Sequence, residues 1–227
     1  MRTKTLLIAA AALAAGILAS SAQTYSQNIV GYVNVTAPVG QYNLLCNPLT
    51  TGNDVLTNVL QGVPGGSFLQ LWNGAGYTPY QWKGSPKHWV NLNDSSICDN
   101  IALPPGIGFF YASATSTNLI FVGTVDATTG GGTATNALSL GYAAVGSMIP
   151  YGDVVTNAAT FNLTVGGGST IQIWDPVAVA FTPYQWKGGL HTWQNLNTSV
   201  NTNPTVNVGQ GFFISPNVAT NWIQTLQ

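Results

Sequence analysis

Residues 77–84 read YTPYQWKG, and residues 181–188 read FTPYQWKG. Seven of these eight positions are identical at an offset of 104, which sets the frame for the rest of the chain. Working outward, Trp89-Val-Asn-Leu-Asn93 is answered by Trp193-Gln-Asn-Leu-Asn197, and Gly108-Phe-Phe-Tyr111 by Gly211-Phe-Phe-Ile214. Upstream, Gly65-Gly-Ser67 and Leu69-Gln-Leu-Trp72 are answered by Gly167-Gly-Ser169 and Ile171-Gln-Ile-Trp174. Two copies are too few for a solenoid, so the pattern predicts a tandem duplication.

Within each copy the pattern is that of strands. Leu69 and Leu71 alternate with Gln70 and Trp72, as Ile171 and Ile173 do with Gln172 and Trp174, so the two sets belong to opposite sheet faces. Gly-Gly-Ser, Asn73-Gly-Ala-Gly76 and Pro104-Pro-Gly106 punctuate short strands and hairpins. One short helix per unit is expected: Asp54 as N-cap before Val55, Leu56, Val59 and Leu60, and Asp153 before Val154, Val155, Ala158 and Ala159. The fold class is therefore all-β: two tandem homologous small sandwich- or barrel-like units packed with pseudo-two-fold symmetry.

Residues 1–22 carry a basic start (Arg2, Lys4), an apolar run and small residues before Gln23, the pattern of a Sec signal peptide. Unit one then spans 23–117 and unit two 118–227. The resemblance of the stretch around 118–126 to both the first and the last strand predicts a boundary within a shared strand, with the terminal strands paired or adjacent. Residues 128–136, TTGGGTATN, read as the flexible connection. No segment after residue 22 is long and apolar enough to be a spanning helix. Export to the periplasm, the outer surface or the medium follows.

Beyond residue 22 the chain carries Lys83, Lys87 and Lys187 against six Asp, with no Arg and no Glu, a net charge near −3. Nucleic acid is excluded as a partner, because binding it requires clustered cations. Neutral amide and hydroxyl surface with little net charge favours self-association or polysaccharide as partners.

Cys46 and Cys98 both fall in unit one, and their counterparts in unit two are Gly146 and Asn201 or Thr202. Paired presence and paired absence, in an exported chain, predict a disulfide that closes a long loop, worth roughly 4 kcal/mol.

No residue set for catalysis is present. A glycosidase needs two positioned carboxyls, and only Asp54 and Asp153 recur between units, where caps are wanted. There is no nucleophile elbow, zinc-protease motif or phosphate-binding glycine loop. His88 and His191 have no ligand-spaced neighbours, so neither a metal site nor a cofactor is expected. A Lys83 or Lys187 isopeptide bond to Asn is a further option. The binding candidates are aromatic: Trp72 and Trp174, set opposite the aliphatic face either as exposed platforms or at an intersheet position, with Tyr80 and Tyr184 in the anchor. For the tyrosines, and for Trp82, Trp186, Trp89 and Trp193, core packing is the competing assignment.

The opening Ser26-Gln-Asn-Ile-Val-Gly-Tyr-Val33, then Asn47-Pro-Leu49, the paired TPYQWKG and GFF motifs and Gly-Ser-Met148, resemble a group of exported, tandemly duplicated all-β proteins of environmental diderm bacteria. The resemblance covers nearly all of the chain beyond the signal peptide. That group is functionally uncharacterised and implies no catalytic residues. The expectation is a non-enzymatic extracellular or cell-surface protein with structural or adhesive interactions, the alternative being a carbohydrate-binding module with one aromatic site per repeat.

Overall fold

The computed structural model describes residues 30–126 and 132–226. The signal peptide read in residues 1–22 lies outside them. The described chain is mostly antiparallel β-sheet with very little helix.

Two five-stranded sheets carry the architecture. The first has the order β2-β6-β3-β4-β5, formed by β2 (Asn43–Cys46), β3 (Phe68–Trp72), β4 (Tyr77–Lys83), β5 (His88–Asn91) and β6 (Gly108–Ala112). The second has the order β9-β15-β11-β12-β13, from β9 (Ala143–Gly146), β11 (Thr170–Asp175), β12 (Ala180–Lys187), β13 (Thr192–Asn195) and β15 (Gly211–Ser215). Each sheet is accompanied by a two-stranded ribbon. β1 (Val30–Ala37) pairs with β7 (Thr117–Thr124), and β8 (Thr133–Leu138) pairs with β16 (Thr220–Thr225). The sheets stay open, so no barrel closes, contrary to the barrel-like option.

Alternation along the strands sorts side chains into three cores. Leu69, Tyr80, Trp89, Phe109 and Tyr111 of the first sheet pack with Val33, Leu119 and Phe121 of its ribbon. Ile171, Trp193, Phe212 and Ile214 pack with Leu138 and Trp222 in the same manner. The third core lies between the two sheets and is built on Leu44, Phe110, Ala144 and Phe213. The Gly-Phe-Phe motif explains this division. Successive strand residues face opposite ways, so Phe109 and Phe212 enter the unit cores while Phe110 and Phe213 enter the inter-sheet core. The preceding glycine permits the close approach. A Cβ on Gly108 would lie 2.8 Å from the Val145 amide nitrogen, and one on Gly211 would lie 2.8 Å from the Leu45 carbonyl oxygen.

Several expectations are corrected. The first helix is a single turn, α1 (Leu56–Val59), and Val55 occupies its N-cap with no side-chain cap bond. Asp54 instead accepts hydrogen bonds from the Thr50 hydroxyl and the Thr51 amide, at 2.7 Å each, and fixes the preceding loop. The second expected helix is absent. Residues 153–154 form β10 (Asp153–Val154), which pairs with β14 (Thr205–Val206), and turns follow. A single turn persists only if its apolar face is buried. Val59 and Leu60 supply that burial, whereas Ala158 and Ala159 are exposed and Phe161 fills the core instead.

The disulfide is also absent: Cys46 and Cys98 are both free. Cys46 ends β2 at one edge of the first sheet, and Cys98 bonds through its amide to Trp89 on β5 at the other. Four strand spacings separate those edges, about 19 Å in all, far beyond disulfide reach. The terminal strands do not pair with each other, since β1 takes β7 and β16 takes β8. Residues 133–136, read as part of a flexible connection, begin β8. The lysine ammonium groups meet Gln81 and Gln185 rather than asparagines.

Candidate functional site: the inter-sheet aromatic cluster

The outer faces of the two sheets carry the aromatic side chains not used by the unit cores. The register of the β3–β4 hairpin sets Trp72 opposite Tyr77, and that of β11–β12 sets Trp174 opposite Phe181. Each tryptophan reaches across to the other sheet. The Trp72 indole N–H donates to the Tyr142 carbonyl at 2.8 Å, and the Trp174 N–H donates to the Tyr42 carbonyl at 2.7 Å. Backbone contacts run in the same reciprocal way. The Cys46 amide donates to the Gly209 carbonyl at 2.9 Å, and the Gly146 amide to the Gly106 carbonyl at 3.1 Å.

Edge-to-face contacts fix the rings. Trp174 lies 5.1 Å from Phe110 and 4.9 Å from Phe181, while Trp72 lies 5.1 Å from Tyr77 and 5.4 Å from Phe213. These are the orientations the ring quadrupoles favour. Burial pushes the Tyr77 phenol pKa upward from its ordinary value.

Two of the grooves beside this cluster are walled mainly by its aromatic rings. The larger, about 380 Å³, lies against Trp174, Phe181, Tyr77, Phe110, Gln70 and Gln41. The smaller, about 250 Å³, lies against Trp72, Phe213, Phe181, Tyr77, Gln172 and Tyr142. Trp72 and Trp174 thus share one inter-sheet region. Tyr80 and Tyr184 do not join them. Tyr80 and Tyr184 lie three residues after Tyr77 and Phe181, an odd step that turns them to the core side, where Tyr80 is 7 % exposed and Tyr184 is half-buried. Tyr77, Phe181, Phe110, Phe213, Tyr42 and Tyr142 are the members sequence reasoning missed. The signal for Tyr77 and Phe181 was present: a tight hairpin after Trp72 or Trp174 puts the first aromatic of the next strand on the same face.

The other polar constellation is structural. Asp99 accepts from the Trp89 amide at 2.7 Å and meets the His88 ring nitrogen at 2.5 Å, tying β5 to the segment that follows it. Asn203 does the same work in the second sheet, accepting from the Trp193 amide and the Thr192 hydroxyl. His191 sits apart, in a left-handed turn after residues 188–190. Among the described residues no three His, Cys or Asp side chains gather as metal ligands, and no helix is long and apolar enough to cross a membrane.

No family model matches the chain, and neither a curated protein nor a solved structure matches it.

Proposed function

We propose that this is an exported, non-enzymatic protein of the cell surface or its surroundings, with a structural or adhesive role exercised through self-association. The observation that carries this reading is the outer face of the β1–β7 ribbon. Tyr32 is 75 % exposed, and Val122 directly opposite it is 58 % exposed, with Ile120 beside them. Among the described residues neither strand has a second strand partner, and the one bridge is Thr50 to Thr124 at the end of β7. An apolar face is thus combined with backbone edges that are open over most of their length. A net charge near −3 offers little repulsion between copies. Sedimentation of the chain lacking residues 1–22 tests the reading. Concentration-dependent oligomers that dissolve in Val122→Lys are expected. A monomer at every concentration, with the same behaviour in the variant, removes the basis for self-association.

The repeated sequence and the reciprocal contacts support a tandem duplication with pseudo-two-fold packing. On this reading each unit is one sheet with its ribbon, which moves the boundary from residues 117/118, inside β7, to the stretch between β7 and β8. Deletion of either half is expected to leave the other aggregated, because its share of the inter-sheet core would be uncovered.

A second reading, carbohydrate binding, has its own support. Trp72 and Trp174 line grooves beside Gln172 and Gln70, the combination of apolar ring and amide that suits a neutral sugar. A neutral-glycan array probed with the chain lacking residues 1–22 tests it, and absence of any binding counts against it.

A further inference from the structure

We infer that the larger inter-sheet groove is a single composite site for a neutral oligosaccharide, assembled from both sheets, rather than one of two equal sites. This rests on the carbohydrate-binding reading and sharpens it in location and stoichiometry.

The lining is drawn from both sheets. Tyr77, Phe110 and Gln70 come from the first, and Trp174 and Phe181 from the second. No ionisable carboxylate or amine is among its lining residues, so nothing there selects for an acidic or basic ligand. Fixed aromatic walls suit the apolar face of a pyranose, and the amides of Gln70 and Gln41 can donate to and accept from its hydroxyls. The walls are already in place, because the Trp174 N–H is held by the Tyr42 carbonyl and its ring by Phe110 and Phe181. Pre-organisation of this kind reduces the ordering cost of binding.

The two grooves differ in what they offer. Gln172, which answers Gln70 in the repeat, donates its amide to the Tyr142 hydroxyl at 3.4 Å. The Gln70 side chain lines the larger groove and has no hydrogen-bond partner among the described residues, which leaves its amide available to a ligand there. The hairpins differ as well. Residues 73–76 join β3 to β4, whereas Pro176, Val177 and Val179 in the turn before β12 extend the wall of the larger groove. The smaller groove has no such extension.

Isothermal titration calorimetry of the chain lacking residues 1–22 tests the assignment, using separate hexasaccharides of β-1,4-glucan, β-1,4-xylan, β-1,4-mannan and α-1,4-glucan as probes. At least one is expected to bind with one site per chain. Gln70→Ala should weaken it about tenfold, the loss of one well-made hydrogen bond, while Gln172→Ala should change it less than about twofold. Circular dichroism of both variants establishes that they fold, since neither amide is in a unit core. If none of the four binds, the groove assignment falls together with the carbohydrate reading for these glycans. If binding occurs at two sites, or is indifferent to Gln70→Ala, the assignment is overturned while the carbohydrate reading stands. Binding of an apolar dye without any sugar also overturns it, in favour of an apolar occupant.

Discussion

The Trp72 indole N–H bonds to the backbone carbonyl of Tyr142, 70 residues away on the other sheet. Trp174 returns the contact to the carbonyl of Tyr42. Both acceptors are backbone atoms just before β9 and β2, so these bonds fix sheet on sheet. Trp72→Phe and Trp174→Phe keep an aromatic ring but remove the donor. Each is expected to lower stability by about 1 kcal/mol, more if the carbonyl is left dry. Urea denaturation followed by fluorescence and by circular dichroism should give coincident single transitions, because neither sheet covers its outer face alone.

Cys46 and Gly146 meet at one of the close approaches between the sheets. A Cβ on Gly146 would fall on the Cys46 Cβ and lie 2.7 Å from its Sγ. Gly146→Ala should therefore destabilise by about 1–3 kcal/mol through overpacking. Cys46→Gly in the same chain should recover much of that loss. A double-mutant cycle measures the coupling, and strictly additive effects would contradict the contact.

The two thiols should behave differently. Burial pushes the Cys46 thiol up to about 12, so it stays protonated and unreactive in the folded chain. Labelling with a thiol reagent at pH 8 should modify one cysteine, Cys98, in the native protein and both after denaturation. The raised value also carries a stability sign. Its contribution is fully present below the ordinary 9.0 and is lost as pH rises from there toward about 12. Cys46→Ser should change the alkaline limb of a stability profile.

At the acid end, Asp153 is the group to follow. The Thr160 hydroxyl first, then the Val154 amide and the Asn157 side chain, hold its carboxyl below the ordinary 3.8. A depressed value stabilises the fold above 3.8, and that contribution is lost as pH falls through the lowered folded value. Thermal melts from pH 6 downward should show a shallower acid decline for Asp153→Asn than for the parent.

These sites show where the sequence was readable. Alternation through Leu69, Gln70, Leu71 and Trp72 correctly separated core from opposite face, because a strand side chain has only two directions to take. That face could be exposed or could meet another sheet, and of these two placements the structure takes the second, with partners that were not legible. Nothing local in Trp72 specifies Tyr142, since the contact depends on how two sheets dock. The cysteines misled for a related reason. Their joint absence from the second half looked like one lost bond, yet Gly146 is explained by the space that Cys46 occupies. At Cys98, Thr202 keeps the same amide bond to a tryptophan carbonyl, so the side chain there is unconstrained by a partner thiol. The helix after Asp153 failed on side-chain size. The spacing matched the first copy, but alanines at 158 and 159 have too little apolar surface to hold a lone turn.

The Cys46–Gly146 contact also acts as an address. Two copies of the first sheet, brought together by the same outer face, would need two cysteine side chains where there is room for one. Two copies of the second would leave that room empty. On the proposed two-fold packing the sheets are therefore matched unlike to unlike.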